Sequence, residues 1–129
     1  MPDPQPTLAA ITLAVSDDAS PPGPAVLSVL ASEAIDASAV RLSDVLAQSP
    51  VPCEVLVVWS PRGLDGPTCE RVVTWARGRT PSVGLLAWSE QGDREVAERA
   101  LAAGFDDVQG GPCSPRELAV RIRALHRRV

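Results

Sequence analysis

Two neighbouring aspartates, Asp17 and Asp18, follow the apolar run TLAAITLAV at positions 7–15. A continuous apolar run of this length is typical of a buried strand. Carboxylates directly after such a strand either hold a cation or cap the segment that follows. We favour capping by solvated acids and keep weak cation binding as the alternative.

Residue combinations typical of catalysis or metal binding are otherwise missing from the sequence. Cys53, Cys69 and Cys113 are widely spaced without a CxxC pair, which indicates reduced thiols rather than a disulfide frame or a zinc site. His126 is the single histidine, and no glycine-rich phosphate loop follows the first strand. We therefore expect no enzymatic activity, no metal and no cofactor.

Strand-like and helix-like runs alternate along the chain. Strands are predicted at 7–15, 38–42, 53–60, 82–88 and 106–109. Helices are predicted at 24–37, from 43 to 48, and at 66–78, 90–104 and 114–128. Residues 36–50 also fit one continuous helix.

This alternation predicts an α/β domain with a five-stranded parallel sheet and helices on both faces. The favoured topology is doubly wound and flavodoxin-like, with strand order 2-1-3-4-5. Any site in such a sheet lies at the carboxyl ends of the strands. In the last helix, Ser114, Pro115 and Glu117 form a capping-box pattern, and Leu118, Ile122 and Leu125 form the apolar stripe.

Composition and charge narrow the class of protein. The 129 residues suffice for one compact domain. A net charge of −4 gives no general reason to bind nucleic acid or an anionic membrane, although arginines concentrate after Ser114. The apolar run at 7–15 is too short to span a bilayer. We expect a cytoplasmic protein.

The segment ALAAGFDDVQGGPCSPRELAVRIRALHRR at 100–128 resembles the end of a bacterial response-regulator receiver domain. It has an alanine-rich helix, a glycine, an acidic pair, a short strand, a proline turn and an arginine-rich helix. LAVSDD, CEVLVVWSP and LDG resemble its acidic strand end, phosphoacceptor strand and turn into the third helix. The resemblance implies phosphoryl transfer to an aspartate, assisted by Mg²⁺, a hydroxyl and a lysine.

The resemblance places the following residues in the phosphorylation pocket. Asp17 and Asp18 stand at the metal-binding acids, although Ser16 occupies one of these places if the match shifts by one residue. Trp59 stands at the aspartate nucleophile, and Gly111 at the lysine. The hydroxyl position falls on Ser89, with Leu86 as the alternative.

The chain therefore resembles a degenerate receiver. It contains no lysine at all, and no acid stands next to Trp59. Trp59 then either plugs the pocket with its ring or lines a small-molecule pocket with Trp88 and Gly110.

The resemblance also implies a dimer surface on the fourth helix, fifth strand and fifth helix. In the winged-helix-linked subfamily this surface carries cross-subunit ion pairs. Asp107, Glu117 and Arg121 match members of that set. One basic residue of the set has no direct match, and Arg94 and Arg99 are candidates to replace it.

The leading hypothesis is a phosphorylation-independent pseudo-receiver that dimerises within a bacterial transcription regulator or signalling protein. A small-molecule sensor and a protein-docking module are the alternatives. Residues 126–129 resemble the start of a linker, so we expect that the chain is the N-terminal module of a longer regulator.

Overall fold

The computed structural model describes residues 7–23, 25–47, 53–90, 94–110 and 114–128. Its five strands form one parallel sheet in the order β2-β1-β3-β4-β5, which confirms the predicted topology. The strands are β1 (Leu8–Val15), β2 (Ile35–Arg41), β3 (Val55–Trp59), β4 (Gly84–Trp88) and β5 (Asp107–Gln109). The helices are α1 (Ala25–Ser32), α2 (Leu42–Ala47), α3 (Gly66–Arg77), α4 (Arg94–Ala103) and α5 (Pro115–Arg128).

The central strands are buried on both faces because successive side chains point to opposite sides of the sheet. On one side Val55, Val57 and Trp59 pack in a core with residues of α1 and α5. On the other side Leu56 and Val58 pack with residues of α2, α3 and α4. Alternation along β3 therefore decides which helices each residue contacts.

The boundary between α1 and β2 differs from the prediction. The predicted helix at 24–37 is wrong beyond residue 32, because Ala34 turns the chain with a φ of 62°. Ile35 then pairs with Leu8 and is fully buried at the start of β2. The later part of the region follows the preferred interpretation, a strand followed by a short helix, and not one continuous helix.

The last helix, α5, matches the sequence pattern closely. The Ser114 hydroxyl accepts a hydrogen bond from the Glu117 backbone N–H at 3.2 Å, as an N-cap does. Leu118, Ile122 and Leu125 are at most 2% exposed and form the predicted stripe. Within the described residues, no helix is long and apolar enough to cross a bilayer.

Candidate functional site

The carboxylates of the two aspartates after β1 accept hydrogen bonds from neighbouring polar groups. One carboxylate oxygen of Asp17 accepts hydrogen bonds from the Ser43 backbone N–H at 3.3 Å and the Ser43 hydroxyl at 3.0 Å. Asp18 accepts a hydrogen bond from the Ser16 hydroxyl. Asp17 therefore caps α2, which lies 26 positions further along the chain, rather than the segment directly after β1.

Trp59 lies at the end of β3, buried among apolar side chains. Its side chain is 8% exposed, and its ring centroid lies 4.6 Å from that of Trp88 at an interplanar angle of 56°. The indole N–H donates to the Ser20 carbonyl at 3.0 Å, which ties the β1–α1 loop over the strand ends. The ring fills the space at this end of the sheet with packed apolar surface.

The other residues expected at this end lie around the two tryptophans. Ser89 is buried, and its backbone N–H donates to the Gln109 carbonyl at 3.0 Å. Gly110 follows β5 and is half-buried. Gly111, which the resemblance matches to the lysine position, lies outside the described residues. Since Trp59 and Trp88 are packed against each other, their rings form core and do not favour a ligand pocket between them and Gly110.

An open cleft lies on the opposite side of the β3 end. It has a volume of about 240 Å³ and runs between the β1–α1 turn, the N-terminus of α2 and the β3–α3 loop. We call it the β1–β3 cleft, and its walls include Ser16, Asp17, Asp18, Leu42, Ser43, Leu46, Ser60, Gly63, Leu64, Asp65, Thr68 and Arg71. It opens where the strand order reverses, the place at which doubly wound domains bind ligands.

The chemistry of the β1–β3 cleft is polar and mixed in charge. Three carboxylates and the Arg71 guanidinium line it together with several hydroxyls. Within the described residues the Arg71 side chain makes no ion pair or hydrogen bond. Sequence reasoning missed Arg71 and Thr68, because they lie within α3 and away from any strand end along the chain. It also missed Ser43, although that residue directly follows the strand predicted at 38–42.

Asp65 in this cleft is the N-cap of α3. Its carboxylate accepts a hydrogen bond from the Thr68 backbone N–H at 2.8 Å, which satisfies a free donor of the first turn. Hydrogen bonds from the Thr68 side chain and then from its backbone lower the pKa of Asp65 below its usual value. The ionised form of Asp65 is therefore the one that holds the β3–α3 loop against α3.

The lowered pKa predicts that Asp65 contributes to the stability loss in acid. Its contribution is complete above the unfolded value of about 3.9 and disappears as the pH falls through the lower folded value. Asp65→Ser keeps a cap that does not titrate, so its urea midpoint should fall less than that of the parent between about pH 5 and about pH 2. The urea midpoint of Asp36→Ser, a change at an exposed aspartate of β2, should fall as much as that of the parent. If the urea midpoints of all three proteins fell equally, the ionised Asp65 carboxylate would not contribute to stability as a cap.

Two of the three cysteines lie within the described residues, and both are free thiols. Burial raises the pKa of both Cys53 and Cys69 above its usual value. A raised pKa disfavours the thiolate, which is the nucleophilic form. These thiols are therefore suited to packing.

The acidic and basic residues near β5 form ion pairs and hydrogen bonds within the chain itself. The Arg121 guanidinium contacts the Asp107 carboxylate at 2.9 Å and 3.1 Å. Arg94 pairs with Glu98 one turn further along α4, at 3.2 Å. Arg99 donates to the Leu64 carbonyl at 3.0 Å, so its guanidinium contacts the β3–α3 loop. The structure thus brings Asp107 and Arg121 together but does not add Arg94 or Arg99 to that pair.

Exposed apolar side chains lie on the helices that flank β5. Among the described residues, the large hydrophobic side chains that are exposed are Val40 at 37%, Leu101 at 50% and Val120 at 67%. Leu101 belongs to α4 and Val120 to α5. Val120 also lines a groove of about 510 Å³ with Asp107, Glu117 and Arg121. We call Leu101, Asp107, Glu117, Val120 and Arg121 the α4–β5–α5 surface.

The architecture is shared with solved response-regulator structures. An orphan response regulator of H. pylori is 19% identical, with a TM-score of 0.67 over 94% of this chain and 99% of that one. A response-regulator receiver domain of Clostridium thermocellum is 17% identical, with a TM-score of 0.69 over 92% of this chain and 95% of that one. The chain has the receiver-domain fold.

Other similarities of this chain to known proteins are partial or more distant. A putative pilus assembly protein of Sinorhizobium meliloti is 16% identical, with a TM-score of 0.61 over 88% of this chain and 98% of that one. The transcriptional regulatory protein GltR of Pseudomonas aeruginosa is 47% identical over 49 residues, or 38% of this chain. The chain covers 19% of the length of that regulator. No protein-family model matches the chain.

Proposed function

We propose that the chain is a phosphorylation-independent receiver domain that self-associates within a bacterial regulatory protein of the cytoplasm. Trp59 is the observation that carries this proposal. The receiver resemblance matches Trp59 to the nucleophile position, and the indole there is buried and donates its N–H to the Ser20 carbonyl. A carboxylate is needed there for phosphoryl transfer, and the chain holds no lysine to offset phosphate charge. The domain would then act through its surface and not as an enzyme.

The α4–β5–α5 surface supports self-association. It combines the exposed Leu101 and Val120 with the charged Asp107, Glu117 and Arg121. Apolar side chains supply most of the free energy of an interface, whereas exposed ion pairs set register and specificity. The partial similarity to GltR supports a place in a transcription regulator.

Reversing the charge of Arg121 should weaken the dimer. Arg121→Glu would place a third acid beside Asp107 and Glu117, so we expect the dissociation constant to rise at least about tenfold. Sedimentation velocity over a concentration series measures this constant. Arg71→Glu makes the same charge change on α3, at an arginine without a partner among the described residues, and should leave the constant unchanged.

The same samples test whether self-association is independent of phosphorylation. Acetyl phosphate and Mg²⁺ should change neither the sedimentation profile nor the intact mass. An adduct of about 80 Da, the mass of a phosphoryl group, would overturn the proposal. A protein that stays monomeric at every concentration would overturn the dimer and favour the docking module, a role compatible with the shared fold of the pilus assembly protein.

A small-molecule sensor is the second candidate, and the β1–β3 cleft favours it. The cleft lies at the reversal of strand order, and its lining includes three aspartates and Arg71, whose guanidinium has no partner among the described residues. Those groups suit a small polar molecule with both an amine and an acid. Dimerisation that depends on Arg121 without any added molecule would favour the first proposal over this one.

A further inference from the structure

Helix α4 buries little apolar surface. Ala100 is its one buried residue among the described positions, and Leu101 is half exposed. By contrast, α5 buries Leu118, Ala119, Ile122 and Leu125 against the sheet. An element with so little apolar burial is held in place mainly by individual contacts, and it opens more readily than the core.

Those contacts connect α4 to the β3–α3 loop, residues 60–65. Arg99, in the middle of α4, donates from its guanidinium to the Leu64 carbonyl at 3.0 Å. One turn earlier, Val96 packs so closely on Gly63 that a Cβ there would lie 2.2 Å from a Val96 methyl carbon. Before α4 begins, the Glu90 backbone N–H donates to the Pro61 carbonyl at 3.1 Å. The loop therefore contacts α4 at two levels, and Glu90 adds a third contact from the segment after β4.

The β3–α3 loop also forms one wall of the β1–β3 cleft. Gly63 and Leu64 line the cleft, and the same two residues contact Val96 and Arg99 on the other side. The bond from Arg99 is the directional, charge-assisted member of this set. A displacement of the loop at the cleft cannot occur without breaking or moving that bond.

We propose that Arg99 is a latch that holds α4 on the β3–α3 loop, the segment that also walls the β1–β3 cleft. The proposal goes beyond self-association and does not depend on it. Arg99 acts through its contact with a backbone carbonyl, so a local measure of α4 opening tests it directly.

Hydrogen exchange followed by mass spectrometry on the full chain provides that measure. In Arg99→Ala, peptides covering α4 should exchange at least about tenfold faster, because the bond that opposes local opening is gone. Peptides covering β1 and α5 should keep their rates. Arg99→Met, which retains an apolar stem but no donor, should behave like Arg99→Ala.

Arg94→Ala is the matched control, since Arg94 lies on the same helix and pairs within it, with Glu98. Its α4 peptides should exchange within about twofold of the parent rate. The same series is repeated in proteins that also carry Arg121→Glu, which weakens self-association in every sample. An error in the dimer proposal and an error in the latch proposal are then distinguishable. Unchanged α4 exchange in Arg99→Ala, parent-like exchange in Arg99→Met, or an equal acceleration throughout the chain would each overturn the latch.

Discussion

Replacing Trp59 with aspartate should destabilise the domain by about 3–5 kcal/mol and should not restore phosphorylation. The substitution empties the volume of a large buried ring and removes its contact with Trp88. It also places a carboxylate among apolar side chains, which adds a desolvation cost. The unfolding free energy from urea titration measures the loss.

Trp75→Asp is the matched control, because it makes the same change at a partly exposed tryptophan of α3. Trp75 contacts the Arg79 guanidinium at 4.8 Å, so we expect a smaller loss of about 1–2 kcal/mol there. A Trp59→Asp variant within about 1 kcal/mol of the parent would show that the indole is not part of the core. A gain of about 80 Da with acetyl phosphate would show that the rest of the pocket is competent.

Replacing Gly63 with alanine should cost about 2–4 kcal/mol in unfolding free energy. Gly63 has a φ of 88°, a conformation that residues with a Cβ rarely adopt. The new methyl group would also overlap Val96, whose nearest carbon lies 2.2 Å from the Cβ position, so the Val96 side chain, α4 or the loop would have to shift. Both effects act in the same direction.

Gly66→Ala provides the comparison on the same loop-to-helix connection. No atom lies within 4 Å of the Cβ position at Gly66, and the residue begins α3. We expect a change of at most about 0.5 kcal/mol, because alanine favours helix and meets no neighbour. If the two alanine variants were equally stable in urea, the close contact between the β3–α3 loop and α4 would not exist in solution.

Several features of the fold could be predicted because they depend on local pattern. The stripe of α5 and its Ser114 cap follow from spacing within one helix. The strand order follows from alternation of strands and helices, since crossover handedness leaves few topologies. The boundary at Ala34 was not predicted, because a positive φ at alanine is set by the pairing of Ile35 with Leu8 and not by the propensity of alanine.

The candidate site was predicted less completely, because its contacts also join distant parts of the chain. Strand ends pointed to Asp17, Asp18 and Trp59, and the structure places all three at that edge of the sheet. Their contacts, however, come from distant parts of the chain. Ser43 lies 26 positions from Asp17, and Ser20 lies 39 positions from Trp59. Nothing in the local pattern around either residue indicates its partner.

The sequence by itself determined that lysine is missing, because this is a fact of composition. That an indole replaces the receiver carboxylate stays a prediction of the resemblance. Periodicity also determined the buried stripe of α5, and continuous apolar runs indicated that strands are buried. Only the tertiary structure decided that the tryptophans pack together, that Asp17 caps α2, and that Arg99 contacts Leu64, 35 positions away. These are contacts between elements, and the packing of whole helices on the sheet sets their geometry.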